Sequence, residues 1–260
     1  MKAAVGNMEC STAFPSRPLS RVVLTGSTHS DELGGVCLVR EWLRQGDAPF
    51  LHQRSFGAQT LLANPRATKQ NRRYLETDLN RCFTAEILSP PPSPSDHYEV
   101  VRAQELDAAL GPKGNDCSVD FICDLHNTTS KMRSCLITAP DYLSMHTSVS
   151  TDPCRVISIK PEIPSFSLMS IAKHITLEIG PQPTGLIRSD ICNMMRRLVG
   201  HVLDFIELFN QGQSVCLCIC VGRSVCLCLH LSNFNCLCLC LCMTLSVCMS
   251  ICPLLSSAVF

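Results

Sequence analysis

Charged side chains stop almost completely after residue 212. The chain has 260 residues with 22 basic and 22 acidic side chains, yet residues 213–260 hold a single charge, Arg223, together with 11 of the 19 cysteines. A water-soluble core must therefore come from the first 212 residues, a length that suits one substantial globular domain. The eight cysteines of that body are scattered and show no disulfide framework, as expected in a reducing, cytoplasmic compartment. Zero net charge and the lack of a basic stripe with interleaved aromatics argue against a nucleic-acid partner. Residues 1–20 lack the apolar run and small-residue cleavage site of a secretory signal and read as a loose N-terminal arm. The reading is thus an arm over 1–20, a folded domain over 21–212 and a tail over 213–260.

Within the domain, the β-branched run Arg21–Thr25 stops at Gly26, and Glu32–Gln45 then carries Leu33, Val36, Val39 and Leu43 at helical spacing. Further strands are predicted at Gln59–Ala63, Val119–Leu125, Cys135–Thr138, Arg155–Ile159 and Ile175–Ile179. Helices are predicted at Tyr98–Leu110, closed by Gly111-Pro112, and at Ile187–Gln211. Ser89-Pro-Pro-Pro-Ser-Pro-Ser95 can join neither and reads as a surface loop. Strands alternating with amphipathic helices indicate an α/β fold with a largely buried sheet, whose active-site groups gather beyond the strand C-terminal ends.

Four segments carry chemistry, three of them at such positions. His29 and Glu32 form a His-x-x-Glu pair at the head of a helix, able to turn both side chains toward one metal; the alternative is a capping residue and an exposed carboxylate. His126 ends the apolar strand Asp120-Phe-Ile-Cys-Asp-Leu-His126. His29, Glu32 and His126 would make a His₂Glu set with an open position for water, the arrangement of catalytic zinc. Asp124 shares the strand face of His126 and could orient its imidazole, or be a salt-bridged surface aspartate. In Thr77-Asp-Leu-Asn-Arg81, Asn80 and Arg81 are suited to gripping a carboxylate, with Arg73 in the same segment, although such a stretch is also ordinary for a solvated face. Glu178 interrupts the apolar run Ile175–Ile179, where burial should raise its pKa toward general acid/base work; its alternative is a buried glutamate paired with an arginine. His52, His97, His146, His174, His201 and His230 fall outside this spacing and read as structural or exposed.

The series Gly26-Ser-Thr-His-Ser-Asp-Glu-Leu33, Asn64-Pro-Arg66, Asp78-Leu-Asn-Arg81, Asp124-Leu-His-Asn-Thr-Thr129 and Leu177-Glu-Ile-Gly-Pro-Gln-Pro183 resembles the aspartoacylase family of zinc amidohydrolases. The resemblance implies a zinc-carboxypeptidase-like mixed sheet flanked by helices, with one Zn²⁺ per subunit held by His29, Glu32 and His126. It implies Glu178 as general base, Arg73 polarising the scissile carbonyl, and Asn80 with Arg81 on the substrate α-carboxylate. The aspartate-specific branch has an arginine near the position of Met169 and the aromatic branch a tyrosine near Phe166. Met169 cannot compensate a second carboxylate, so N-acyl aromatic amino acids and N-acetyl S-substituted cysteines (mercapturates) are the expected small-molecule substrates. Ser30 and Asp31 stand where the family has glycine and asparagine, so strain is expected there if that loop needs a positive φ.

The family continues past Gly212 into a β-rich domain that residues 213–260 do not resemble, so the alternative to an active enzyme is a non-catalytic zinc-binding remnant. The tail repeats Leu-Ser-Val-Cys and Cys-Leu-Cys, as an in-frame CTGT nucleotide repeat would encode. It reads as a non-native, disordered low-complexity segment, although its Cys/Leu alternation could pair as strand. Its alternatives are a C-terminal membrane anchor, for which Leu237–Leu255 is long enough to span a bilayer, with the body cytoplasmic or peripheral at that membrane, and a soft-metal-binding thiol array. Monomer and homo-oligomer both stand.

Overall fold

The computed structural model describes residues 17–46, 49–112, 118–138, 154–158, 167–211, 217–221 and 225–229. The arm up to residue 16, the stretch around Phe166 and the anchor window Leu237–Leu255 lie outside them.

Six strands form one mixed sheet in the order β2-β1-β3-β6-β4-β5. They are β1 (Arg21–Gly26), β2 (Gly57–Leu62), β3 (Phe121–Asn127), β4 (Arg133–Thr138), β5 (Cys154–Ser158) and β6 (His174–Gly180). The four strands β2, β1, β3 and β6 run parallel, whereas β4 pairs antiparallel with β6 and parallel with β5. Every residue of β3 is buried, and every residue of β1 except Arg21, as near-continuous apolar runs predict for central parallel strands.

The principal helices are α1 (Leu33–Arg44), α2 (Pro49–His52), α3 (Pro65–Gln70), α4 (Ala85–Leu88), α5 (Tyr98–Leu110) and α6 (Ser189–Asn210). The period-2 alternation of the strands divides the core in two. Val22, Leu24, Phe121, Cys123, Leu125, Ile175, Leu177 and Ile179 face α1 and α6. Val23 and Ile122 face Ala103, Leu106 and Leu110 of α5. Asp124, His126 and Glu178 alternate with the first set and so belong to the α5 side, at the C-terminal ends of β3 and β6.

Helix α5 has the predicted bounds, whereas α6 begins at Ser189 rather than Ile187. Arg188 is its N-cap and pairs with Asp190 at 2.7 Å, leaving Leu186 and Ile187 exposed in the preceding loop. Helix α3 was not anticipated. Its signal is local, because Asn64 accepts a hydrogen bond from the Ala67 amide and Pro65 fills the first turn. A further antiparallel pair, β7 (Leu217–Val221) and β8 (Val225–Leu229), aligns Cys218 with Cys228 and Cys220 with Cys226 along the backbone. No helix among the described residues is long and apolar enough to cross a membrane.

Helix α1 crosses the sheet at backbone contact. A Cβ on Gly35 would lie 2.6 Å from the Leu125 carbonyl oxygen and 2.8 Å from its Cβ. Replacing Gly35 by alanine is therefore expected to destabilise the chain by about 1–3 kcal/mol through overpacking. The change is read as a lower urea midpoint at unchanged slope; an unchanged midpoint would refute the close packing.

Candidate active site

The turn after β1 reverses the chain so that Glu32 becomes the N-cap of α1. Its side chain makes no capping bond. It turns instead toward two imidazoles, meeting His29 Nδ1 at 2.8 Å through Oε1 and His126 Nδ1 at 3.0 Å through Oε2. The Asn127 backbone N–H also donates to Oε2 at 2.8 Å. The outer nitrogen of each ring meets a carboxylate: His29 Nε2 lies 3.0 Å from Asp78 Oδ1, and His126 Nε2 lies 2.8 Å from Asp124 Oδ2. Thr25 and Thr28 donate their hydroxyls to Asp124 at 2.7 and 3.0 Å and fix that carboxylate. Both imidazoles thus turn Nδ1 toward Glu32 while a carboxylate anchors the opposite nitrogen, the usual support for metal-binding histidines.

The predicted strain falls elsewhere in this turn. The residue with positive φ is Ser27, at 72°, not Ser30. Ser27 Oγ hydrogen-bonds Ser30 Oγ, the Asn64 carbonyl and Thr68 Oγ1, so local side-chain bonds hold a conformation that costs a non-glycine residue about 1–2 kcal/mol.

His29, Glu32 and His126 each offer one donor atom within 4.8 Å of the others, and all three residues are buried. Two imidazole nitrogens and a carboxylate oxygen at that separation fit a single borderline-soft divalent cation with a remaining open position. The guanidinium of Arg73 already lies against them, 3.1 Å from Glu32 Oε1 and 3.0 Å from His29 Nδ1, so the donor atoms form a place for positive charge. Arg73 also reaches Asp31 at 3.4 Å and is 43% exposed, so it borders the opening rather than the core.

Glu178 pairs in register with His126 across β3 and β6 and shares its sheet face. Glu178 lines a cavity of about 320 Å³ whose wall also includes His29, Glu32, Arg73, Asp31 and the polar loops Asn127–Thr129 and Gln182–Thr184. Burial pushes the Glu178 carboxyl up from its ordinary value; His126 opposes this and Glu32 adds to it. Burial also disfavours charge on Glu32, but His126 and His29 outweigh it and hold that carboxyl well below the carboxylate range. Burial works against a charged His126, yet Asp124 and Glu32 raise it well above the ordinary histidine value.

The structure thus brings together His29, Glu32, His126, Asp124, Arg73 and Glu178. Asn80 and Arg81 lie on a 3₁₀ turn, Leu79–Arg81, one step beyond Asp78, and are not in the cavity wall. Met169 lies on a second 3₁₀ turn, Leu168–Ser170, also outside that wall, and Phe166 falls outside the described residues. Three contributors escaped the sequence reading. Asp78, 49 residues from His29, holds its outer nitrogen. Gln182 joins the wall and donates to Asn127 Oδ1 at 3.1 Å. His174 is buried, with Nε2 3.9 Å from Asp124 Oδ2, where exposure had been one of its two readings.

Residues 18–206 match the succinylglutamate desuccinylase/aspartoacylase catalytic domain. The chain belongs to this family. A human protein named N-acyl-aromatic-L-amino acid amidohydrolase (carboxylate-forming) is 47% identical over 220 residues, covering 79% of this chain and 67% of that protein. A mouse aspartoacylase is 40% identical over 207 residues, covering 76% and 66%. The crystal structure of murine aminoacylase 3 superposes with a TM-score of 0.70 at 44% identity, over 76% of this chain and 68% of that one. The chain therefore spans about two thirds of the length of these relatives.

Proposed function

We propose that the chain is a zinc-dependent amidohydrolase that cleaves N-acyl aromatic amino acids and N-acetyl S-substituted cysteines to a carboxylate and the free amino acid. The observation that carries this reading is the placement of Glu178 in register beside His126 and in the same cavity wall as His29 and Glu32, the other two members of the donor set. His29, Glu32 and His126 would hold the zinc, which would supply Lewis acidity toward a water and toward the carbonyl oxygen. Glu178 takes the proton of the attacking water and returns it to the leaving nitrogen, a task for which a carboxyl raised by burial is suited. Arg73 donates to the carbonyl oxygen as negative charge collects there. Asp124 and Asp78 keep the two imidazoles turned toward the metal. Asn80 and Arg81 take the α-carboxylate, and an apolar Met169 leaves a second carboxylate without a counter-charge.

The aromatic preference draws support from the higher identity to the human amidohydrolase than to the mouse aspartoacylase. The test is hydrolysis of N-acetyl-tyrosine and of N-acetylaspartate by the zinc-loaded full chain. Turnover of the tyrosine amide well above the aspartate one is expected. Preference for the aspartate amide would overturn the specificity, and zinc uptake without any turnover would leave a metal-binding remnant.

A further inference from the structure

We propose that Glu99 is a positioning residue for this site: its carboxylate, buried at the start of α5, holds the backbone of residues 75–77 and so sets where Arg73 and Asp78 reach His29 and Glu32. The inference rests on the metal-site reading above and adds a residue that touches neither the cavity nor the donor set.

Glu99 is fully buried. Its Oε1 accepts from the Leu75 N–H at 2.6 Å and the Asn64 side-chain amide at 3.1 Å, and its Oε2 accepts from the Glu76 and Thr77 N–H groups at 3.2 and 3.3 Å. Glu76 returns the grip, accepting from the Tyr98 N–H at 2.6 Å. Asn64, which donates to Glu99, also caps α3. One carboxylate thus ties together the start of α3, the start of α5 and the irregular segment between α3 and the 3₁₀ turn. That segment carries Arg73 on one side of the grip and Asp78 on the other. It pairs with no strand, and its anchor toward the site is the Ser30 N–H to the Arg73 carbonyl at 3.1 Å. Burial disfavours charge on Glu99, yet the bonds from Leu75, Asn64, Glu76 and Thr77 outweigh it and hold its carboxyl below the ordinary range. A neutral amide is the wrong replacement. Either end of a glutamine that presents its NH₂ to these donors leaves at least two of them facing another donor.

The test compares the full chain with Glu99→Gln and with Leu106→Ala. Leu106 is a core residue of the same helix, and its truncation is expected to destabilise α5 while removing none of the Glu99 hydrogen bonds to the segment. Zinc affinity is measured by competition with a chelator, and cleavage by trypsin after Arg72 and Arg73 is timed under native conditions. Glu99→Gln is expected to weaken zinc binding by about 10–100-fold, as loss of an outer support does, and to speed cleavage. Leu106→Ala should lower the melting temperature while leaving zinc affinity within about twofold, and Glu99→Asp should recover part of the loss. Zinc affinity within twofold of the parent in Glu99→Gln would overturn the inference, as would an equal loss in Leu106→Ala. A parent chain that takes up no zinc would sink the metal-site reading instead, and the cleavage rates would still decide whether Glu99 holds the segment. If Glu99→Gln does not fold, Glu99→Asp is measured in its place against the same two outcomes.

Discussion

Replacing Glu178 by glutamine is expected to lower kcat for N-acetyl-tyrosine by about 10²–10⁴-fold, the range associated with loss of a positioned acid/base group. KM should change little and zinc content not at all. Glutamine keeps the volume of the cavity wall and removes the site that takes the proton. The same change carries a stability signature. Burial raises the Glu178 carboxyl above its unfolded value, so the folded state prefers the protonated form. That contribution is fully present below the unfolded glutamate pKa and is lost as pH rises through the folded one. At neutral pH the metal-free chain therefore keeps an unfavourable half-buried carboxylate, which glutamine removes. Glu178→Gln should melt higher than the parent at pH 7, with the gain fading as pH falls through the raised folded pKa and gone below the ordinary glutamate range. Retained turnover would remove Glu178 from the proton-transfer role, and a lower melting temperature at pH 7 would show that its charge is compensated after all.

Why Glu178 was legible in the sequence, and Asp78 was not, follows from what local pattern records. A carboxylate breaking an apolar period-2 run must be buried or at a strand end, so Glu178, Asp124 and His126 announce themselves; parity gives Asp124 and His126 a shared face, and Glu178 joins it through the β3–β6 register. The central strands were legible for the same reason, since strands covered on both faces are continuous apolar runs. The reversal of β4 against β6 is a long-range pairing that no window of sequence encodes. Asp78 reaches His29 only because the segment from Asn71 to Asp78 folds back over the β1–α1 turn, and that path is set by Glu99, 21 residues further along the chain. Helix α3 was missed because its six residues, Pro-Arg-Ala-Thr-Lys-Gln, have no apolar stripe, so its start is marked by the Asn64-Pro65 cap alone. His174 lies at the first position of β6, where a single buried polar residue has no neighbour of its own kind in sequence. The resemblance supplied the order of the motifs, and the fold shows why that order works: the His29 and Glu32 turn, His126 and Glu178 sit at the same ends of the adjacent strands β1, β3 and β6.

Replacing His126 by alanine should have the other large effect, on metal affinity and on folding together. His126 supplies one of the three donor atoms, so zinc uptake should fall below detection at micromolar metal. It is also the partner of a carboxylate that is almost completely buried, since Asp124 is 1% exposed and meets His126 Nε2 at 2.8 Å. Removing one member of a buried charge pair strands the other, at a cost of about 3–5 kcal/mol. The lower end of that range is expected here. Thr25 and Thr28 still donate to Asp124, and the His174 imidazole lies 3.9 Å from Oδ2 on the same side. The pH dependence has a defined sign. In the parent, burial disfavours charge on Asp124, but His126 and His174 outweigh it and hold its carboxyl well below the ordinary aspartate value. That stabilisation is present above the unfolded aspartate pKa and lost as pH falls through the folded one. Without His126 the carboxyl rises, protonates earlier and ceases to be a buried charge, so the stability gap between the two proteins should narrow in acid. Adding Asp124→Asn to His126→Ala should then recover stability at pH 7 while zinc binding stays lost, and the double-mutant cycle gives the coupling directly. A double variant no more stable than His126→Ala alone would show that Asp124 is held by the two threonines and His174 rather than by the imidazole it touches.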